Sequence, residues 1–545
     1  GVRFIGNLSV TDSLKLLDGV LSLTDGSNLI ANSKRYESGS IRMQNEITGN
    51  NGWRLISSPF STTFGDLLDG TITQGYPGAF YDSNTSPGDT LQPNVFTKLE
   101  NYSGTDNQRF RAPPSASTNV QQGQGIWLYV WGDIPGDSRY NEPLPDTLEA
   151  VGQEWDGNGD EVNFGITYTA NADSGWNLIG NPFAATIDWD DNANWTKTNV
   201  ESTIYVWDPA ANAGNGEFLT WNGVTGTLGN GLIAPFQGFM VKANNTDPTL
   251  AVKKEAKTSG GSFLRKTMPK NSDSLSFKSE NDNLYDIVRI GIAVKGENGR
   301  AKETHIMLSD DASKSKDKLD AYRLTTMAQT YFEFHSLLED GTQLDINNLP
   351  IDFKTRYYIP LHFDSYEENL EVSGTYQIVW DDLRSVPDDW ILTLFDNTTG
   401  ETINLLEEGE YTFNQSTKTK REKVNPLSPD YKIIAKTKSI STRFTLMIST
   451  EQIERDVPMQ PFLSQNYPNP FNPSTTINFG LDEQSDVLLE IYDILGRKIQ
   501  TLINENREPG RYQTYFNART LASGVYFYRL QANNNVFIKK MTLIK

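Results

Sequence analysis

Few residues in this chain are equipped for chemistry. Its 545 residues contain no cysteine and three histidines, His305, His335 and His362. Without a thiol there is no cysteine nucleophile, iron–sulfur cluster, Cys-ligated zinc or disulfide. The histidines lie in ETHIMLS, FEFHSLL and PLHFDS, each within or beside a predicted strand. None shows H-E-x-x-H or i, i+4 spacing, so the ordinary reading is a satisfied or exposed strand histidine. A G-x-S-x-G elbow, a P-loop and a dinucleotide fingerprint are all missing. Carboxylates abound, 69 Asp and Glu in all. A glycosidase pair needs a defined separation across a cleft and cannot be picked from that background. The chain itself is expected not to be an enzyme.

One metal motif stands out. Trp155–Glu161 reads WDGNGDE, with Asp156, Asn158 and Asp160 at the i, i+2, i+4 spacing of a calcium loop. The sixth position, where a sharp turn needs Gly, is Glu161. The twelfth, where a bidentate Glu belongs, is Thr167. A looser calcium site is the one cofactor the sequence offers, although such strings are more often plain turns. The acidic cluster Asp188–Asn194 (DWDDNAN) is discounted in the same way.

The elements that must carry these residues are strands. Aromatic residues make up 11% of the chain and fall in short runs with Val, Ile and Thr, punctuated by Asn, Gly, Asp and Pro. Only Ser61–Asp69 and Asp311–Leu319 read as short helices. The expected class is all-β, with several β-sandwich domains in tandem, a short β-solenoid-like N-terminal piece and a C-terminal Ig-like domain. A net charge of −21 argues against a general nucleic-acid binder and against docking on anionic lipid. No apolar run approaches the roughly 18 residues of a membrane-spanning helix.

Residues 1–48 carry leucines in bursts between Asp-Gly and Gly-Ser turns, which suits solenoid rungs that pack on a neighbour. Residues 49–260 hold an internal repeat, with copies over about 49–133 and 170–250. GWRLISSPF (Gly52–Phe60) returns as GWNLIGNPF (Gly175–Phe183). NVFTKLE (Asn94–Glu100) returns as TIYVWDP (Thr203–Pro209), and GQGIWLYV (Gly123–Val130) as FQGFMVKA (Phe236–Ala243). Trp53 and Trp176 anchor the opening strands, Pro59 and Pro182 end them, and Gly125 and Gly238 allow a bulge or close backbone approach. Trp127, Tyr129, Trp131, Trp207 and Trp221 are expected mostly in the core, with a sugar-stacking platform as the alternative. Residues 261–273 read as a linker, 274–450 as an Ig-like or jelly-roll sandwich, and 451–464 as a second linker.

Residues 465–545 differ in character, with nine Lys and Arg against seven Asp and Glu. Pro468, Pro470 and Pro473 are expected to keep the opening extended, and Asn466, Asn469 and Asn472 favour turns. Gly496, Gly510 and Gly524 lie at predicted turns. NYPNPFNPSTTI, IYDILGRKIQTL, PGRY, SGVYFYRL and KKMTLIK, in this order, resemble the type A C-terminal sorting domain of the type IX (Por) secretion system of Bacteroidetes. The resemblance covers Gln465–Lys545. It implies an export address read by the secretion machinery: an outer-membrane β-barrel shuttle, the translocon, and a sortase that usually removes the domain. Attachment to anionic lipopolysaccharide often follows. The signal residues it implies are Asn466, Tyr467, Pro468, Asn469, Pro470, Phe471, Asn472, Pro473, Gly496, Gly510, Gly524 and Tyr526, with Lys539 and Lys540 as basic contacts. The expected protein is a secreted or surface-anchored, non-catalytic structural or adhesin-type cargo. Two alternatives stay open: the tail of a larger secreted peptidase or glycan hydrolase whose catalytic domain precedes Gly1, and a carbohydrate-binding surface protein.

Overall fold

Alternation of side chains decides the fold strand by strand. In Ser40–Ile47 the residues Ile41, Met43, Asn45 and Ile47 turn inward, while those between them face outward or lie half-buried. The computed structural model describes residues 2–545 except 25, 82–91, 105, 133–143, 155–160, 171–174, 264–286, 298, 311, 352–355, 369, 382, 417–441, 451–456 and 459. Nearly every regular element in it is a strand. Helix is confined to single turns such as Phe64–Leu67, where Thr63 Oγ1 accepts from the Asp66 N–H. The helix expected over Ser61–Asp69 shrinks to that turn. The one expected over Asp311–Leu319 does not form among the described residues. Asp317 accepts there from the Ser313 and Leu319 N–H groups, and Asp320 from that of Asp317. Local carboxylates thus take the donors a helix would use.

The chain divides into two units, one of Gly1–Ile351, Ile359–Val386 and Phe395–Thr445, the other of Asp352–Tyr358, Pro387–Leu394 and Leu446–Lys545. The first unit opens with parallel rungs. Val2–Phe4 pairs with Val20–Leu23, which pairs with Ser40–Ile47, and Asn7–Leu16 pairs with Asn28–Tyr36. These rungs share one core with the first repeat copy: Leu23, Ile41 and Met43 pack with Phe60, Phe64 and Ile126. Two polar links tie them to the second copy. Asn28 donates to Asn7 Oδ1 and accepts from Thr186 N–H and hydroxyl. Buried Glu154 pairs with both Lys34 and Lys257. Burial opposes its ionisation, but the two ammonium groups win and hold the carboxyl below its ordinary range.

The two repeat copies have the same topology. The first sheet runs in the order Gly52–Ser57, Gly125–Val130, Val95–Lys98, Phe110–Arg111. The second runs Trp176–Gly180, Gly238–Lys242, Ile204–Asp208, Glu217–Trp221. They meet about a local pseudo-two-fold: Gly180 N–H donates to Gly123 C=O and Ser57 N–H to Phe236 C=O, both at 2.8 Å. At that seam Gly125 and Gly238 are required. A Cβ on Gly125 would lie 2.7 Å from Ile179 backbone atoms, and one on Gly238 2.7 Å from the Ile56 carbonyl. Gly123 and its counterpart Phe236 both have positive φ, 76° and 62°. Phe236 is held there by complete burial.

Past the second copy, Gly261 N–H bonds Thr186 Oγ1 and Phe263 is buried in the rung core. The linker expected at 261–273 therefore starts as docked chain. The next strands of the first unit run in the order Tyr331–Leu337, Gln343–Pro350, Ala301–Ser309, Ile287–Gly296, Gly374–Asp381, Glu410–Gln415. On the other side of Tyr331–Leu337, residues Leu361–Tyr366 pair with it. The sheet folds over on itself, because Phe332 and Phe363 from one end pack on Tyr376 and Phe413 from the other. The register sets Glu333 opposite Asp364 and His335 opposite His362.

Candidate functional site: the C-terminal sandwich

In the second unit, Arg356 donates to the carbonyls of Val457 and Pro458. Phe462–Leu463 then joins Ser474–Leu481, so the sandwich begins inside the linker expected at 451–464. Its closeness to this sheet explains Gly480, where a Cβ would meet the Phe462 ring at 2.3 Å. One sheet is Phe462–Leu463, Ser474–Leu481, Gly510–Asn517. The other is Lys498–Arg507, Ser485–Asp493, Gly524–Ala532, Asn535–Leu543. Ile477, Phe479, Leu489, Tyr528, Leu530 and Met541 fill the space between them.

The Asn/Pro-rich opening is a clasp rather than a spacer. Asn466 is buried; its N–H donates to the Tyr528 hydroxyl (2.8 Å) and its side-chain amide to Pro468 C=O and Thr475 Oγ1. Tyr528 in turn donates to Ser464 C=O (2.7 Å), and burial pushes its phenol up to about 12. Tyr467 is exposed and pairs through its backbone with Thr476. Asn469 Oδ1 accepts from Thr542 N–H. Buried Phe471 donates its N–H to Thr542 C=O and accepts from Ile544 N–H. Pro473 C=O accepts from Ala518 N–H, while Pro468, Pro470 and Asn472 are exposed. In place of the extended run expected, the bonds before Pro468, Pro470 and Pro473 are cis.

The three glycines have different roles. Gly496 (φ 75°) closes the turn in which Asp493 Oδ1 accepts from the N–H groups of Leu495 and Arg497, leaving Ile494 and Leu495 exposed. Gly510 has φ 152° and faces Leu481. Gly524 starts a strand with open space where a Cβ would go, so the turn expected there makes no demand for glycine. Tyr526 is buried and donates to Ala522 C=O. Lys539 and Lys540 are exposed on the sheet-edge strand Asn535–Leu543. As successive strand residues they point to opposite faces and form no single basic patch. Lys540 instead shares a face with exposed Val536 and Ile538.

Elsewhere the candidate residues are mostly engaged. Asp156, Asn158 and Asp160 lie outside the described residues. In the Asp188–Asn194 cluster an ammonium already stands where a cation would sit. Lys197 donates to Trp189 C=O and Asn192 Oδ1, and Asp190 accepts from Trp221 Nε1. Burial lowers Lys197 to about 8, against the pull of Asp190 and Asp188. Trp127, Trp207 and Trp221 are buried, which removes them from a sugar-stacking platform. Tyr129 and Trp131 are half-buried, and with Trp53, which the platform reading omits, they form a row with ring centroids 5.2 and 4.6 Å apart.

An all-β protein ending in a clasped edge-strand sandwich is the class these observations define. Residues 465–545 match the model described as secretion system C-terminal sorting domain. Residues 2–424 match the family described as domain of unknown function (DUF8693), and the chain belongs to that family. Two solved structures from Porphyromonas gingivalis are similar over parts of it. PorZ, described as an essential bacterial surface component of the type-IX secretion system, is 21% identical over 18% of this chain and 14% of its own, with a TM-score of 0.13. PorU, seen as a latent dimer, is 13% identical over 48% of this chain and 30% of its own, with a TM-score of 0.14. The chain thus spans less than a third of either protein. No curated protein matches it. The sorting domain makes this a type IX secretion cargo, exported to the cell surface or the extracellular space. Among the described residues no helix is long and apolar enough to cross a membrane.

Proposed function

We propose that this chain is a non-catalytic, adhesin-type surface cargo whose C-terminal sandwich is read by an outer-membrane barrel shuttle, the translocon and a sortase. After cleavage the product is attached to anionic lipopolysaccharide. The clasp between residues 466–471 and 542–544 carries this reading. It orders the edge strand, with its Val536–Ile538–Lys540 face, into a fixed surface that a receptor can grip. The test is export in a type IX-competent bacterium. Deleting residues 465–545 is expected to trap the protein in the periplasm, and Lys540→Glu to reduce its surface level several-fold. Undiminished surface display of the deletion would sink the proposal. A carbohydrate-binding role rests on the half-buried row Trp53–Tyr129–Trp131. Glycan-array binding that Trp131→Ala abolishes would support it, and binding left unchanged would remove it.

A further inference from the structure

The paired strands Tyr331–Leu337 and Leu361–Tyr366 put four metal-competent side chains on one face of one ladder. Glu333 stands opposite Asp364, and His335 opposite His362. Alternation sends Phe332, Phe334 and Phe363 to the other face, so the arrangement follows from register alone. His362 Nε2 lies 3.5 Å from Glu333 Oε2 and 3.1 Å from Asp364 Oδ2. One ligand atom from each of Glu333, His362 and Asp364 falls within 4.8 Å of the others. Bonds of about 2 Å in a tetrahedral shell would set neighbouring ligand atoms roughly 3.3 Å apart.

His335 supplies the independent observation. It is fully buried, and neither ring nitrogen has a hydrogen-bond partner among the described residues. Its ring centroid is 5.1 Å from that of His362. A buried imidazole with both nitrogens bare is costly. Protonating His362 would satisfy the two carboxylates and still leave His335 without a partner.

We infer that Glu333, His362 and Asp364, with His335 as the fourth donor, bind a divalent first-row cation of the zinc class as a structural site. The donor set is nitrogen and carboxylate oxygen, which suits such an ion better than calcium. Supporting bonds are in place around it. Arg323 Nη2 holds the other Glu333 oxygen at 3.0 Å, and the Tyr366 hydroxyl reaches Asp364 Oδ2 at 3.4 Å. The Asp364 side chain is 19% exposed, which gives the ion a way in. The ion would staple two strands that are neighbours in the folded-over sheet.

The experiment is cobalt and zinc titration of the full chelator-stripped chain. One Co²⁺ per chain is expected, with the visible bands of a four-coordinate site and a higher Tm in either metal. Asp364→Asn, at the exposed rim, should fold and bind at least tenfold more weakly. His335→Gln should weaken binding about tenfold or more and alter the cobalt bands. No uptake by the native chain would overturn the inference. So would uptake that Asp364→Asn leaves unchanged, since the metal would then lie elsewhere. Should His335→Gln fail to fold, the native titration and Asp364→Asn still decide.

Discussion

The two copies of the repeat share a frame and spend it differently. Trp53 packs on Phe96 in the first copy as Trp176 packs on Tyr205 in the second. Phe96 has no hydroxyl. Tyr205 has one, and it accepts from Tyr322 N–H at 2.9 Å, in a segment beyond the repeat. Tyr129 of the first copy corresponds to Lys242 of the second. Lys242 is buried with its ammonium 5.6 Å from the Trp176 ring and 5.7 Å from Tyr322. The second copy has thus turned its aromatic face into a docking joint, with Trp176 fully buried, while the first leaves Trp53, Tyr129 and Trp131 half-buried. Duplication preserved the glycines of the seam, and a few side chains redirected one face.

The largest effect that would sharpen this contrast is one of pH, confined to the second copy's joint. Buried Asp320 lies there, its backbone carbonyl accepting from Thr203 Oγ1. Burial, helped by Asp317, raises its carboxyl to about 7 against the hydrogen bonds from Asn348 and Asp317. A raised folded pKa means that the stability it contributes is fully present below about pH 4 and is lost as pH rises toward 7. The slope is at most about 1.4 kcal/mol per pH unit. Melting curves over that range should show the decline, and Asp320→Asn should flatten it; an equal slope in both would assign the pH dependence elsewhere.

Next in size are the seam glycines. Gly125→Ala and Gly238→Ala each drive a methyl into backbone of the other copy, and each should cost about 1–3 kcal/mol in denaturant unfolding. If only one of them destabilises, the pseudo-two-fold is geometrical and not energetic. Smallest is the single oxygen. Tyr205→Phe should cost about 1 kcal/mol by stranding the Tyr322 N–H, and the reciprocal Phe96→Tyr should gain nothing. A gain from Phe96→Tyr would mean the first copy has a hidden docking partner of its own.

Much of this was legible in the residues. The repeat was, because Trp, Pro and Gly recur at positions where the seam and strand ends demand them. The sorting sandwich was, because its motifs are contiguous. Strands such as Ala301–Ser309 and Gly374–Asp381 were, because they alternate. Gln343–Pro350 (QLDINNLP) was missed, since buried Asn347 and Asn348 give it no apolar alternation. The Glu333–His335–His362–Asp364 square was missed for a different reason. E-x-H and H-x-D lie far apart in the chain, and only register makes them neighbours. A search for facing H-x-D and E-x-H dipeptides on predicted strands would have raised it.

The clasp of the C-terminal sandwich has a consequence for synthesis. Asn469 and Phe471 emerge from the ribosome long before Thr542 and Ile544, yet their bonds are to those residues. A product that terminates before Thr542 carries every upstream domain and most of the address, but leaves the latch open. Such an address works as a receipt for translation: it becomes readable only on chains made through to their final strand, and so keeps prematurely stopped products from the cell surface.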